Sequence, residues 1–178
     1  ILIMKNKDKI RDIVKLGIYK HLMGQSLKKI NLLYEEFFTK YKLNTREKSF
    51  IKNLTMVSIR NRGIIEFIIS KYLNRPLPKK ILEVHAILIM GIAQILFTRI
   101  ENYAAVNTSV NFFDGSLKKW RALANAILRR VVREENNIKK NYNPKLNMPK
   151  WLLKDWEAKY GEETTEKIID EIFLEPYL

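Results

Sequence analysis

One stretch of the chain, residues 86–97, is apolar on nearly every side of the helix that its spacing predicts. Its longest uninterrupted apolar run covers residues 86–93, and including Gln94 extends it to Phe97. That length is too short to cross a membrane and is typical of a helix in the middle of a protein core. The sequence therefore predicts a central helix, at about residues 79–98, on which the rest of the chain packs.

The rest of the chain also predicts helices, and no alternation of apolar and polar residues between hairpin turns predicts a strand. Gly24 is expected to end the first helix and Ser26 to cap the second, whereas Asn44 with Glu47 resembles a capping box for the third. The predicted helices cover about residues 8–23 and 26–41, and a stretch from residue 44 to at least 69 has a possible division at Gly63 and a stop at residues 75–78. Further helices are predicted at about 79–98, 102–113 and 116–134, followed by two short helices within 149–173.

The formal net charge of +14 is unevenly distributed along the chain. Residues 1–133 hold 26 Lys and Arg against 9 Asp and Glu, whereas residues 134–178 hold 7 against 10. Residues 116–133 carry six Lys or Arg and no acidic residue. Such a surplus favours nucleic acid or an anionic membrane surface as a partner. A lysine-rich proteome is the alternative, but it explains the lysines and not the clustering of arginines in residues 121–133.

Candidate catalytic residues are hard to find in this sequence. The chain has no Cys, and His21 and His85 lie among apolar residues at helical spacing, which favours hydrogen-bonded core or boundary positions. No HExxH pair, phosphate-binding glycine loop or GxSxG motif occurs. We therefore expect no catalytic residue, metal or cofactor in this chain. The absence of Cys and of a signal-peptide pattern predicts a cytoplasmic protein.

The basic residues within 116–133 lie at both ends of the predicted helix. Lys118 and Lys119 are near its start, where the helix dipole disfavours a cation, so they favour an anionic ligand. Arg129, Arg130 and Arg133 are near its predicted end, where the dipole alone could account for them. If the first helix packs beside this one, the basic residues of both helices form one continuous surface.

The chain changes character after residue 134. The polar, Asn-rich residues 135–148 predict a linker, and the residues from 149 to 178 predict a short helical connector. The last residues have neither a polar tail nor a helix cap, which favours a chain that continues in a longer polypeptide.

Several short motifs follow one another in a distinctive order: GQSL at 24–27, the region of Arg60, RPL at 75–77, residues 85–94, YAAV at 103–106 and NAILRR at 125–130. Together they resemble the NusB-like helical domain at the N-terminus of the ribosomal RNA small-subunit methyltransferase B family, also called Fmu or Sun. PKWLL at 149–153, with YG at 160–161, looks like the connector to that family's catalytic half. The resemblance covers about residues 8–175.

The resemblance implies an all-α NusB-like bundle over residues 1–134, a linker over 135–148 and a helical connector over 149–178. It implies an RNA-binding domain of a 16S ribosomal RNA (cytosine-C5)-methyltransferase, whose S-adenosylmethionine-dependent catalytic domain is absent from this chain. The implied partners are ribosomal RNA and that catalytic domain, and no membrane is expected. By analogy with the RNA-facing basic helix of NusB, RNA contacts are implied for Arg11, Lys15, Lys118, Lys119, Arg129 and Arg130.

Two other functions are compatible with the sequence. The first is a free-standing NusB-type transcription antitermination factor that binds a short RNA together with a ribosomal protein. The second is a protein–protein docking bundle whose charge is incidental and whose exposed apolar patch lies around Trp151 and Trp156.

Overall fold

The computed structural model describes residues 8–73, 75–78 and 81–173, and within these ranges it contains helices and no strand. The predicted all-α fold class is confirmed. Two 3₁₀ helices, Gly115–Trp120 and Pro144–Asn147, accompany the α-helices. The α-helices of the described ranges are α1 (Lys9–Leu22), α2 (Leu27–Lys40), α3 (Thr45–Arg60), α4 (Arg62–Lys71), α5 (Leu82–Phe97), α6 (Asn102–Val110), α7 (Arg121–Lys140), α8 (Lys150–Tyr160) and α9 (Glu162–Phe173).

Helix α5 lies at the centre of the bundle, as its apolar run predicts. Every residue from 86 to 96 is buried, and α1, α3, α4, α6 and α7 pack against this helix. Gly91 permits the close approach of α6 and α7, because a Cβ atom there would lie 2.8 Å from both Leu128 and Ser109. Lys79, at the predicted start of this helix, lies outside the described residues. No helix in the described ranges is both long enough and apolar enough to span a bilayer.

The predicted helix boundaries at Gly24, Ser26 and Asn44 are confirmed. Gly24 follows α1 with a φ of +85°, and its amide donates to the carbonyl of His21 at 2.9 Å. Ser26 caps α2 through its side-chain oxygen. At the start of α3, the Asn44 and Glu47 side chains each accept a hydrogen bond of 2.9 Å from the other residue's amide, which is a capping box.

The start of the helix predicted at residue 116 is different in the structure. Gly115–Trp120 is a 3₁₀ helix, and α7 begins only at Arg121. Leu117 and Trp120 are both partly buried against the core. Because a 3₁₀ helix has three residues per turn, this spacing places both side chains on the same side. The spacing of Leu117 and Trp120 therefore fits both a 3₁₀ helix and an α-helix, and the sequence pattern does not distinguish the two.

The first part of the predicted linker is helical, because α7 continues to Lys140. An ion pair of 2.6 Å joins Lys139 to Glu135 one turn earlier, and Ile138 packs partly buried against the core. Polar composition alone does not indicate these contacts, so the helix continues six residues into the stretch that the sequence predicts as linker.

Residues 141–149 fold back onto α4 through a hydrogen-bonded contact centred on Asn147. The Asn147 Oδ1 accepts from the amide of Ile64 at 2.9 Å, and its Nδ2 donates to the Tyr142 hydroxyl at 3.2 Å. The Tyr142 hydroxyl donates in turn to Asn61 Oδ1 at 2.9 Å. Asn61 occupies the N-cap position of α4 but makes no side-chain cap there. Asn147 therefore caps α4 from a position 83 residues away in sequence.

Gly63 does not divide the stretch between residues 44 and 73. The break falls at Asn61, and Gly63 lies within α4. A Cβ atom at Gly63 would collide with the backbone carbonyl of Leu146. The glycine is required because the fold brings the backbone of the Pro144–Asn147 helix directly onto α4.

Helices α8 and α9 pack against each other, and α9 also contacts the Pro144–Asn147 helix. The predicted end of α8 at Gly161 is confirmed, with a φ of +77°. Thr165 and Ile169 of α9 are fully buried. The division of the chain into 1–134, 135–148 and 149–178 stays a prediction, and residues 1–7 and 174–178 lie outside the described residues.

We predict that Asn147→Ala destabilises the protein. The variant loses the cap of α4 and leaves the Ile64 amide without its partner, so the free energy of unfolding should fall by about 1–2 kcal/mol. Urea unfolding monitored by circular dichroism measures this change. Asn136→Ala on the exposed face of α7 is the matched control, with an expected change within about 0.5 kcal/mol. Equal stabilities of the two variants would contradict the assigned cap.

Candidate nucleic-acid interface

Arg11 of α1 is held by the N-cap residue of its own helix and by neighbours from α3 and α5. Its Nη1 forms an ion pair with Asp8 at 2.6 Å, and its Nε donates to Gln94 Oε1 at 2.6 Å. Its guanidinium lies 5.3 Å from the centre of the Phe50 ring. The side chain is only 17% exposed. These contacts use the charge and donors of Arg11 within the protein.

The partner of Arg11 on α5, Gln94, is fully buried and joins α1, α5 and α6. Its Nε2 lies 3.3 Å from Ser109 Oγ on α6 and 3.4 Å from the Met90 carbonyl, and donates to both. A buried amide without partners costs about 1–3 kcal/mol. Arg11 therefore completes a polar network in the core.

Lys15 lies between two carboxylates. Its Nζ is 2.9 Å from Asp12 on α1 and 2.9 Å from Glu83 on α5, and it lies 5.2 Å from the centre of the Phe112 ring. Burial lowers the pKa of Lys15, but the hydrogen bonds and charges of the two carboxylates outweigh burial and raise this pKa above its ordinary value. Lys15 is therefore a charged link between α1 and α5.

Arg130 of α7 belongs to a cluster with Glu134 and Tyr72, the residue that follows α4. Its Nε donates to Glu134 at 2.8 Å, and its guanidinium lies 4.2 Å from the centre of the Tyr72 ring. The Tyr72 hydroxyl donates to the other Glu134 oxygen at 2.7 Å. Burial and this hydrogen bond raise the pKa of Tyr72 to about 12. Hydrogen bonds from Tyr72 and Arg130 lower the pKa of Glu134.

Lys118, Lys119 and Arg129 are exposed, and none of them forms an ion pair with a carboxylate of the described ranges. The Lys119 Nζ lies 5.8 Å from the centre of the Trp120 ring. Arg129 donates from Nε to Asn125 Oδ1 at 3.1 Å, a neutral acceptor. These three cations keep their full charge toward solvent.

Two further arginines, Arg121 and Arg133, share these properties and were not among the predicted site residues. Both are exposed and have no ion pair within the described part of the chain. Arg133 lies one turn after Arg129 on the same side of α7, about 6 Å further along the axis, whereas Arg121 is the first residue of the helix. The helical phase could have identified Arg133, because it is offset from the buried positions Ala124, Ile127, Leu128 and Val131.

The helix dipole does not account for the arginines of α7. Because α7 ends at Lys140, Arg129, Arg130 and Arg133 lie in its middle, and the dipole acts only within the last turn. The explanation drawn from a predicted end at residue 134 is therefore wrong. Lys118 and Lys119 precede α7 in the 3₁₀ helix, beside the end that disfavours cations.

Helices α1 and α7 each pack against α5 rather than side by side. The partners of α1 are α2, α3 and α5, whereas α7 packs on α5 and α6. The sequence makes a continuous basic surface conditional on side-by-side packing of α1 and α7, and the structure does not meet that condition.

The described residues contain no group of three His, Asp or Glu side chains that could hold a metal ion. His21 and His85 are partly buried, and one ring nitrogen of each is buried without a hydrogen-bond partner in the described ranges. Burial, together with the charge of Arg62, lowers the pKa of His21. These are boundary positions, as predicted, but their hydrogen bonding is incomplete.

Comparison with known proteins identifies a family for most of these helices. The profile described as the NusB family matches residues 8–133. The chain is 27% identical over 175 residues to "Ribosomal RNA small subunit methyltransferase B" of Klebsiella pneumoniae strain 342, covering 94% of this chain and 38% of that protein. The protein with the same name from Escherichia coli O1:K1 / APEC is 26% identical over 168 residues, covering 90% of this chain and 37% of the relative.

These matches confirm the resemblance that the sequence motifs indicate. The chain spans less than two fifths of the length of these relatives. The region of similarity extends beyond the NusB family match and includes most of the C-terminal helices.

We predict that Lys15→Gln destabilises the fold, because it leaves Asp12 and Glu83 without their shared cation. The free energy of unfolding at pH 7 should fall by about 2 kcal/mol, measured by urea unfolding. Lys118→Gln is the control, with an expected change within about 0.5 kcal/mol. An equal effect of the two substitutions would contradict the structural role of Lys15.

The contribution of Lys15 should also depend on pH in a defined direction. Since folding raises the pKa of Lys15 above its ordinary value of 10.5, its stabilisation is complete below that pH. It is lost as the pH rises through the raised pKa. The stability difference between the wild type and Lys15→Gln should therefore persist to pH 10 and shrink above 10.5, and a difference that grows there would be inconsistent with this linkage.

Proposed function

The chain belongs to the NusB family, and we propose that it is the RNA-binding part of a 16S ribosomal RNA (cytosine-C5)-methyltransferase. In this proposal it positions ribosomal RNA in the cytoplasm for an S-adenosylmethionine-dependent catalytic domain. The observation that carries the proposal is the set of exposed cations on and before α7 that have no carboxylate partner in the described ranges.

The electrostatics of this set suit a phosphate backbone. Lys118, Lys119 and Arg129 are exposed, and Arg121 and Arg133 extend the same charge along α7. Phosphate contacts by such residues give affinity without sequence information and make binding depend steeply on salt. We name these five cations the α7 cation set.

The other predicted cations are less suited to phosphate because of their intramolecular contacts. Arg11 and Lys15 each have a carboxylate within 3 Å, and Arg130 is paired with Glu134. A phosphate would have to compete with these partners. An RNA role for the three residues stays a prediction.

Ribosomal RNA is proposed as the substrate because the relatives are named as ribosomal RNA methyltransferases. A free-standing antitermination factor is supported less well. The similarity to the methyltransferases covers 94% of the chain and continues past residue 133, where the family match ends.

The residues described here do not fit S-adenosylmethionine. They form helices only, without a strand followed by a glycine-rich turn into a helix. We assign the cofactor and the methyl transfer to a catalytic domain of the kind that the longer relatives imply.

Helix α8 has no buried residue and exposes 70% of Trp151, so we propose it as the surface on which that domain packs.

We predict that the double substitution Lys118→Glu and Lys119→Glu weakens binding to a 16S ribosomal RNA fragment by at least about tenfold at 100 mM salt. The slope of log affinity against log salt should also decrease by about 1–2, because two phosphate contacts are lost. Fluorescence anisotropy with a labelled RNA fragment measures both quantities.

The matched control is Lys28→Glu with Lys29→Glu, an adjacent exposed pair on α2 that gives the same change in net charge. Its salt slope should match that of the wild type. Equal loss in both double variants would show that only net charge matters, which is the behaviour of the docking bundle with incidental charge. Binding by the wild type that disappears at physiological salt would also contradict the proposal.

A further inference from the structure

We infer that the groove between α6 and α7 is a subsite for one unpaired base of a single-stranded RNA, which stacks on Tyr103 while Arg129 and Arg133 bind the flanking phosphates. This inference rests on the proposed function and adds a mode of recognition to it. It assigns base stacking to Tyr103, whereas the α7 cation set by itself accounts only for contacts with phosphates.

Tyr103 is the first observation. Its side chain is 80% exposed, more than any other large apolar or aromatic side chain of the described ranges. The buried side of α6 consists of Ala105, Val106 and Ser109, and Tyr103 lies one turn before Val106, at the exposed edge of that side. Its hydroxyl has no hydrogen-bond partner within the part of the chain described. The fold therefore gives no account of an aromatic residue at this position.

The shape of the groove is the second observation. It has a volume of about 350 Å³, with Tyr103 and Asn107 from α6 and Arg129 and Arg133 from α7 among its lining residues. Val106 and Val132 give it an apolar lining between the two helices. The Asn107 side-chain amide has no partner in the described ranges and can donate to or accept from the edge of a base.

The charges around the groove are the third observation. Arg129 and Arg133 lie one turn apart, and neither is ion-paired within the described residues. Two carboxylates, Glu134 and Glu135, directly follow Arg133 in the sequence. Glu135 is bound to Lys139 at 2.6 Å and to the Asn102 amide at 2.7 Å, and both Glu134 oxygens accept hydrogen bonds from Tyr72 and Arg130. Glu134 and Glu135 are therefore bound by other groups, and Arg129 and Arg133 are left without an ion-pair partner in the described ranges.

This combination indicates a single strand rather than a duplex. An exposed aromatic ring can stack on the face of a base only if that face is not already stacked within a helix. Stacking contributes affinity for every base, and the arginines add phosphate contacts and a salt dependence. Duplex RNA offers the phosphates without a free base face, so it should not use Tyr103.

The experiment compares Tyr103→Ala with Tyr103→Phe, using a single-stranded RNA oligonucleotide that carries 2-aminopurine and a blunt RNA duplex of equal length. Tyr103→Ala should weaken single-strand binding about 5- to 100-fold and abolish the quenching of 2-aminopurine, whereas Tyr103→Phe should keep both. Because the substitution removes no charge, the salt slope should not change. Duplex binding should be unaffected.

Tyr160→Ala, at a half-exposed tyrosine of α8, is the control for removing a surface aromatic ring. Thermal unfolding verifies that each variant is folded, as expected for an exposed position. If Tyr103→Ala binds the single strand like the wild type while Lys118→Glu with Lys119→Glu loses binding, the subsite is refuted and the proposed function stands. If the wild type binds neither RNA, the proposed function itself fails.

Discussion

The central helix α5 has no solvent-facing side along residues 86–96, and the need to cover it arranges the rest of the bundle. Each large apolar side chain buried there contributes about 1.5–3 kcal/mol, so partial coverage would be costly. Gly91 sets how closely α6 and α7 approach. Gln94, the polar residue within this stretch, requires hydrogen-bond partners, which Arg11 and Ser109 supply from α1 and α6. Apolar packing and the hydrogen bonds of Gln94 therefore both hold α1 and α6 against α5.

The distribution of charge follows from the same burial. A cation near the core is stable only with a partner, because removing it from water is unfavourable. Arg11 and Lys15 accordingly lie beside carboxylates. The cations of the α7 cation set remain hydrated and need no partner. This difference separates the basic residues that hold the fold together from those that suit a phosphate backbone, although all carry the same charge in sequence.

Residues 141–149 are attached to the bundle through contacts with the backbone of α4. Asn147 caps α4, and Gly63 lets the Pro144–Asn147 helix approach α4 without a side chain between them. A polar, Asn-rich composition is typical of a linker. In this chain, however, Asn147 and Tyr142 form hydrogen bonds at the start of α4: Asn147 accepts from the Ile64 amide, and Tyr142 donates to Asn61. The two side chains are also hydrogen-bonded to each other. The segment is therefore structured although its composition predicts a flexible connection.

The sequence by itself determined the helical class, the position of α5, the capping box at Asn44 and the family motifs, because these depend on local periodicity and on residues close in the chain. The tertiary structure decided which cations are paired. Lys15 and Glu83, for example, are 68 residues apart in sequence, so no local sequence pattern indicates their contact. The tertiary structure also decided that Asn147 caps α4 and that Tyr103 shares a groove with Arg129. These relations arise where separate helices meet on α5, and helix packing fixes them only once the chain has folded.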